Sequence, residues 1–81
     1  MIGRITGVLL EKRLDQVLVD VGGLAYEVEI PLTTFEQMGE ATDRVILHTH
    51  LVVREDAQQL FGFYTEKERD LFRSLIKVNG V

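Results

Sequence analysis

The 81-residue chain has no cysteine and no tryptophan, one proline (Pro31) and one serine (Ser74). Without cysteine there is no disulfide framework and no thiolate metal site, and nothing marks the chain as secreted. No apolar run reaches the ~18–20 residues that a membrane span requires. Met1 leads straight into a strand-like pattern with no charged and apolar leader, so the expected location is the cytoplasm, with no membrane partner. Basic residues are scarce too. Nine Lys and Arg against 13 Asp and Glu give a net charge of −4, which argues against bulk attraction to phosphate or to an anionic membrane. With one serine and no cysteine, no Ser/His/Asp or Cys/His set can be assembled. Gly22-Gly23 lacks the G-x-x-x-x-G-K-[ST] pattern and opens no helix, so no nucleotide site is visible and no cofactor is expected.

What is present is the makeup of an ordinary globular chain, 46% hydrophobic and 27% charged, in a length at which burial is marginal and a partner subunit would help. Ile2–Glu11 reads as a strand in which Gly3 and Gly7 signal a bend or a close backbone approach. Lys12–Asp15 is a polar turn. Val17, Val19 and Val21 alternate with Gln16, Leu18 and Asp20, and Leu24, Tyr26, Val28 and Ile30 alternate with Ala25, Glu27 and Glu29. Gly22-Gly23 between these strands predicts a two-residue hairpin turn, since both positions accept φ > 0. The pair then has one apolar and one acidic face.

Pro31 ends the third strand. Thr33-x-x-Glu36 has capping-box spacing, which predicts a short helix with Thr33 as N-cap, Phe35 and Met38 inward and Gly39 as the stop. Glu40–Asp43 is a loop. Arg44–Arg54 is the longest strand, with Val45, Leu47, Leu51 and Val53 on one face and Ile46, His48, His50 and Val52 on the other. Apolar residues on both faces predict that the second face is covered as well, which makes those four residues the candidate oligomer interface. Arg54-Glu55-Asp56-Ala57 is a tight charged hairpin leading into a strand over Gln58–Tyr64. Thr65-x-x-Glu68 is a second capping box. It opens a helix over Glu66–Val78 with Leu71, Phe72, Leu75 and Ile76 as its stripe, Lys77 near its end and Asn79-Gly80 as its stop. A lone helix of this length is marginal in water, so it should pack on a barrel or a neighbour, or exchange rapidly.

Five short antiparallel strands with a helix between the third and fourth is the order of the oligonucleotide/oligosaccharide-binding (OB) barrel, here followed by a C-terminal helix. The composition changes near residue 64: residues 1–64 hold five basic and ten acidic residues, residues 65–81 four and three. Single-strand binding by OB barrels uses basic and aromatic side chains on the strand 2–3 face. Here that face carries Asp20, Glu27 and Glu29. His48-x-His50 places two imidazoles on one strand face, but zinc needs a third protein ligand and none is evident, so they read as surface or interface histidines.

Met1-Ile2-Gly3-Arg4, the run Val21–Val28, the run Thr49–Gln58 that ends in the specific block Val-Arg-Glu-Asp-Ala-Gln, Leu60-Phe61-Gly62-Phe63, and the segments Glu68–Phe72 and Leu75–Val81 together resemble the amino-terminal part of the RuvA family of bacterial Holliday junction branch migration proteins. The resemblance covers the whole chain in order and spacing. It implies an OB barrel over 1–64 forming the core of a homotetramer or an octamer. It implies that 65–81 is the first helix of a truncated helix-hairpin-helix domain whose remainder grips DNA. A further domain, absent from these residues, would engage the RuvB motor ATPase. Glu55 and Asp56 match the family's acidic pin near the crossover of a four-way junction. The implied role is non-catalytic: a subunit of an ATP-dependent branch migration complex in recombination and DNA repair. The alternatives are a general OB single-strand binder and a pure oligomerisation module.

Overall fold

The structure, a computed structural model, describes residues 1–78. Its elements are β1 (Arg4–Lys12), β2 (Gln16–Val21), β3 (Leu24–Glu29), α1 (Leu32–Gln37), β4 (Arg44–Val53), β5 (Gln58–Phe63) and α2 (Glu66–Val78). The helix stop expected at Asn79-Gly80 lies outside the described residues. The strands close into a barrel in the order β1-β2-β3-β5-β4, which is the OB arrangement. One correction applies: the barrel is mixed rather than wholly antiparallel, because β3 meets β5 in parallel at Glu29 opposite Phe61. A closed ring with an odd number of strands cannot alternate direction all the way round, so one parallel seam is obligatory.

β1 serves two ladders. Arg4–Val8 pairs with β4, from Arg4 opposite His48 to Val8 opposite Arg44, while Val8–Lys12 pairs with β2. Between Leu9 and Glu11 the register shifts, so Leu10 is the extra residue of a bulge and is 45% exposed. Such bulges bend a strand and sharpen its twist, as barrel closure demands. Gly7 sits just before the point of exchange. A Cβ there would strike the main-chain oxygen of Asp20 on β2, so the close approach expected of this glycine is present. At the β2–β3 turn both glycines take positive φ, 64° at Gly22 and 100° at Gly23, and the Gly23 N–H donates to Asp20 Oδ1 at 3.1 Å. The inward sides of the strands place Leu9, Val17, Val19, Val28 and Leu47 out of solvent entirely or nearly so.

The two short-range helix signals fared differently. The Thr33 box does not form. α1 begins at Leu32 after Pro31 with no side-chain cap, and ends at Met38 in extended backbone. Tertiary contacts overrule the local pattern here. Thr34 is fully buried and its hydroxyl accepts the Tyr64 N–H at 3.2 Å, while Thr33 turns towards α2 and donates to Glu68 Oε2 at 3.4 Å. Gly39 does not supply a left-handed stop; among non-glycine residues the positive φ falls on Thr42, at 78°, where the loop is tied to β1 by Thr42 N–H donating to the Leu9 carbonyl at 2.6 Å. Met38 is buried as expected and Phe35 packs against the core. Thr65 does cap α2: Glu68 N–H donates to Thr65 Oγ1 at 3.2 Å, while the Glu68 carboxylate accepts that hydroxyl at 3.0 Å rather than the Thr65 N–H.

α2 docks on the barrel across β4 and β5, but only half of the expected stripe, Phe72 and Ile76, lies on the docked side. Leu71 and Leu75 are 61% and 55% exposed. Arg69, Phe72, Arg73 and Ile76 take the partly buried side. The Phe72 ring lies 5.1 Å from both Phe61 and Phe63, and the two arginines reach main-chain carbonyls (below). Seating that ring and those guanidiniums turns the apolar stripe partly away from the barrel.

Candidate functional site

The β4–β5 hairpin is the most pointed feature of the surface. The ladder runs from His48 opposite Phe63 to Val53 opposite Gln58, and Arg54 N–H donates to the Ala57 carbonyl at 2.7 Å to close the turn. Paired backbone therefore extends right up to the tip and gives Glu55 and Asp56 a stiff base. Both are exposed, and among the described residues neither carboxylate takes part in an ion pair. Two adjacent uncompensated charges thus face solvent. The hairpin reaches past the core: Val53, expected inward with Leu51, is 63% exposed, because inward-pointing residues at the end of a projecting hairpin have nothing to cover them.

The outward face of β2 and β3 is acidic, as the alternation requires. Leu18 stands opposite Glu27, and Gln16 opposite Glu29. A groove of about 270 Å³ there is lined by Glu11, Arg13, Gln16, Leu18 and Glu27. Its one cation, Arg13, lies 3.6 Å from Glu11, both side chains well exposed, so the pair contributes little. Tyr26 packs against the core rather than offering a stacking platform. Among the described residues single-stranded nucleic acid finds no unpaired cation and no aromatic platform in this groove.

The second face of β4 divides in two. Ile46 is 52% exposed and His48 half-buried; with Gly39, Arg44, Val45 and Tyr64 they line a groove of about 420 Å³. Val52 is half-buried near the hairpin. His50 is occupied within its own chain. Its Nδ1 accepts from Arg73 Nε at 3.1 Å, and the Phe72 ring meets it edge-on at 5.8 Å. Burial pushes the His50 pKa below 6.5, and the nearby Arg73 and Arg69 charges push it the same way. Among the described residues no set of three metal-ligating side chains forms.

Three residues important to this architecture carry no mark in the sequence reading. Thr49 is fully buried, donates through Oγ1 to the Ile2 carbonyl at 2.7 Å, and donates its N–H to the Gly3 carbonyl at 3.0 Å. Arg69 donates to the same Gly3 carbonyl at 2.8 Å, and Arg73 reaches the Thr49 carbonyl at 3.3 Å. The N-terminal segment is thereby held between β4 and α2. The available signals were faint: a threonine at an inward position between Leu47 and Leu51, and two arginines one helical turn apart beside Phe72.

Comparison with known proteins gives a consistent picture. The family described as the RuvA N terminal domain matches residues 1–62. A protein of Shewanella sp. (strain MR-4) named "Holliday junction branch migration complex subunit RuvA" is 57% identical over all 81 residues, and one of the same name from Shewanella halifaxensis is 56% identical over the same length. A third, from Shewanella loihica, is 54% identical. The chain spans 40% of the length of each of these relatives.

Proposed function

Because the chain belongs to the RuvA N-terminal domain family, we propose that it forms the core of a protein that binds four-way DNA junctions and, with the RuvB motor ATPase, promotes their branch migration in the cytoplasm. In this reading residues 1–64 are the barrel that assembles as a tetramer or octamer, with Ile46, His48 and Val52 towards the neighbouring subunit. Residues 65–81 begin the next domain, which carries the grip on DNA. The chain contributes no chemistry of its own. It supplies symmetry and a charged point.

The observation that carries the proposal is the pair Glu55 and Asp56, exposed and without ion-pair partners on a hairpin paired up to its tip. Carboxylates repel backbone phosphates. Two unit charges 4 Å apart in water interact by about 1 kcal/mol, and salt weakens this for exposed groups. The pin therefore cannot part base pairs unaided; it steers strands away from the crossover and limits how firmly a junction settles there. The acidic β2–β3 face speaks against general single-strand binding. The test is Glu55→Gln with Asp56→Asn in the full-length protein. Junction binding should tighten or the migration rate change, most at low salt, while duplex binding stays the same. Coincident affinity and rate at every salt concentration, with assembly intact, would show these acids to be turn residues and leave the barrel as an assembly module only.

A further inference from the structure

His50 lies between the barrel and α2, and the charges that act on it among the described residues are cationic. From α2 come Arg73, in direct hydrogen-bond contact, then Arg69, and Lys77, which lines the same groove of about 440 Å³. From the N-terminal segment Met1 lines that groove. From β1, Arg4 stands opposite His48, two residues along the same face of β4. β5 offers only rings, with Phe61 opposite His50 and Phe63 opposite His48. On α2 the carboxylates of Glu66 and Asp70 are engaged with Arg69 at 3.6 and 3.1 Å.

A guanidinium has donors and no acceptor. The Arg73 Nε contact therefore requires a lone pair on His50 Nδ1, which exists only in the neutral ring with its proton on Nε2. We propose that His50, Arg73 and Phe72 form a proton-sensitive latch that seats α2 on the barrel while His50 is neutral and releases it when His50 takes up a proton. Protonation removes the acceptor and sets two cations at contact distance, and among the described residues no carboxylate is paired with His50 or Arg73. The same event weakens the bond from Arg73 to the Thr49 carbonyl and frees the edge of Phe72. Because α2 is the element through which the chain leaves the barrel, the latch sets how tightly whatever follows is held to it. The device does not depend on the functional reading above.

The direction with pH follows from linkage. The docked helix lowers the proton affinity of His50, so the undocked state binds the proton more readily. Docking is fully favoured above the ordinary value of 6.5 and is lost progressively as pH falls below it. Between pH 7.5 and 5.5 the undocked fraction should rise by up to about tenfold.

Amide hydrogen exchange of the full-length protein, corrected for intrinsic chemical rates, reads this directly. Peptides covering 66–78 should exchange up to about tenfold faster at pH 5.5 than at 7.5, with the β2–β3 hairpin as the unchanged internal reference. His50→Gln keeps an acceptor but cannot titrate, and its α2 should show no such response. Exchange of α2 that is flat with pH in the wild type, or a Gln variant that tracks the wild type, would overturn the latch. Should the Gln variant fail to fold, the imidazole resonance of His50 supplies the second measurement. Its midpoint should lie below 6.5 in the wild type and move back up in Arg73→Met; an unmoved midpoint would equally overturn the proposal.

Discussion

Adding one methyl group at Gly7 should destabilise the barrel by more than adding it at either of two other glycines. A Cβ on Gly7 would overlap the Asp20 carbonyl oxygen, with the Asp20 carbonyl carbon 3.0 Å and Val19 Cγ1 3.1 Å away. The obstacle is main chain, and it cannot retreat: Asp20 is paired with Val8 on one side and with Ala25 on the other. Overpacking typically costs about 1–3 kcal/mol, and a shifted strand adds roughly 1 kcal/mol for a weakened ladder bond. Against this stands about 0.4–1 kcal/mol from the smaller entropy of unfolded alanine. The net expectation for Gly7→Ala is a loss of about 2–3 kcal/mol, a large share of the roughly 4–12 kcal/mol that a chain of this size can have. Gly62→Ala meets the side chains Val28 Cγ1 at 2.6 Å and Leu47 Cδ1 at 3.3 Å; methyl groups can yield by rotation, so the loss should be about 1–2 kcal/mol. Gly3→Ala meets nothing nearer than Arg69 Nη1 at 3.8 Å and should stay within about 0.5 kcal/mol of wild type. Urea unfolding at one fixed protein concentration ranks the three, since assembly would otherwise contribute. Equal midpoints for Gly7→Ala and Gly3→Ala would refute the account of β1 as a strand pressed against β2 at its point of exchange.

Thr34→Val should cost about 1–3 kcal/mol by leaving the Tyr64 N–H without its acceptor, and Thr34→Ser should restore most of it, as thermal melts would show. Phe72→Ala should free α2 while the barrel stays folded, read as lost exchange protection over 66–78 with β2 and β3 unchanged. Glu27→Lys with Glu29→Lys should create weak, salt-sensitive binding of short single strands on a face that otherwise repels them, detectable by fluorescence anisotropy.

The β2–β3 hairpin was fully legible because two local rules agree there, a period of two and a glycine pair at the turn. The same agreement holds at the Thr65 cap. The Thr33 box fails because Thr34, one residue on, has a buried acceptor role that no window of neighbouring residues contains. The α2 stripe was misjudged for a related reason: periodicity finds apolar residues, but the surface it must match holds a ring-sized slot between Phe61 and Phe63 and carbonyls that recruit arginines. Main-chain acceptors such as those of Gly3 and Thr49 have no letter in a sequence, so nothing in it assigns Arg69 and Arg73 to them. The placement of Glu55 and Asp56 at an exposed turn was visible from hairpin chemistry alone, whereas the register that stiffens it required the paired strands.

The double duty of β1 also orders events in time. Its later half can settle against β2 as soon as residues 16–21 exist, since Val8–Lys12 needs only its near neighbour. Its earlier half must wait for β4, because Arg4 is opposite His48, and the first residues are not clamped until Thr49 and Arg69 arrive. At a synthesis rate of ~5–20 residues per second, the 19 positions from Glu29, the end of β3, to His48 take roughly 1–4 s. For that interval a newborn chain holds a finished β2–β3 hairpin with half a strand attached, while its own beginning hangs unpaired as a free edge. A ribosome-bound chaperone, or a second nascent copy on the same message, would meet the protein in that state.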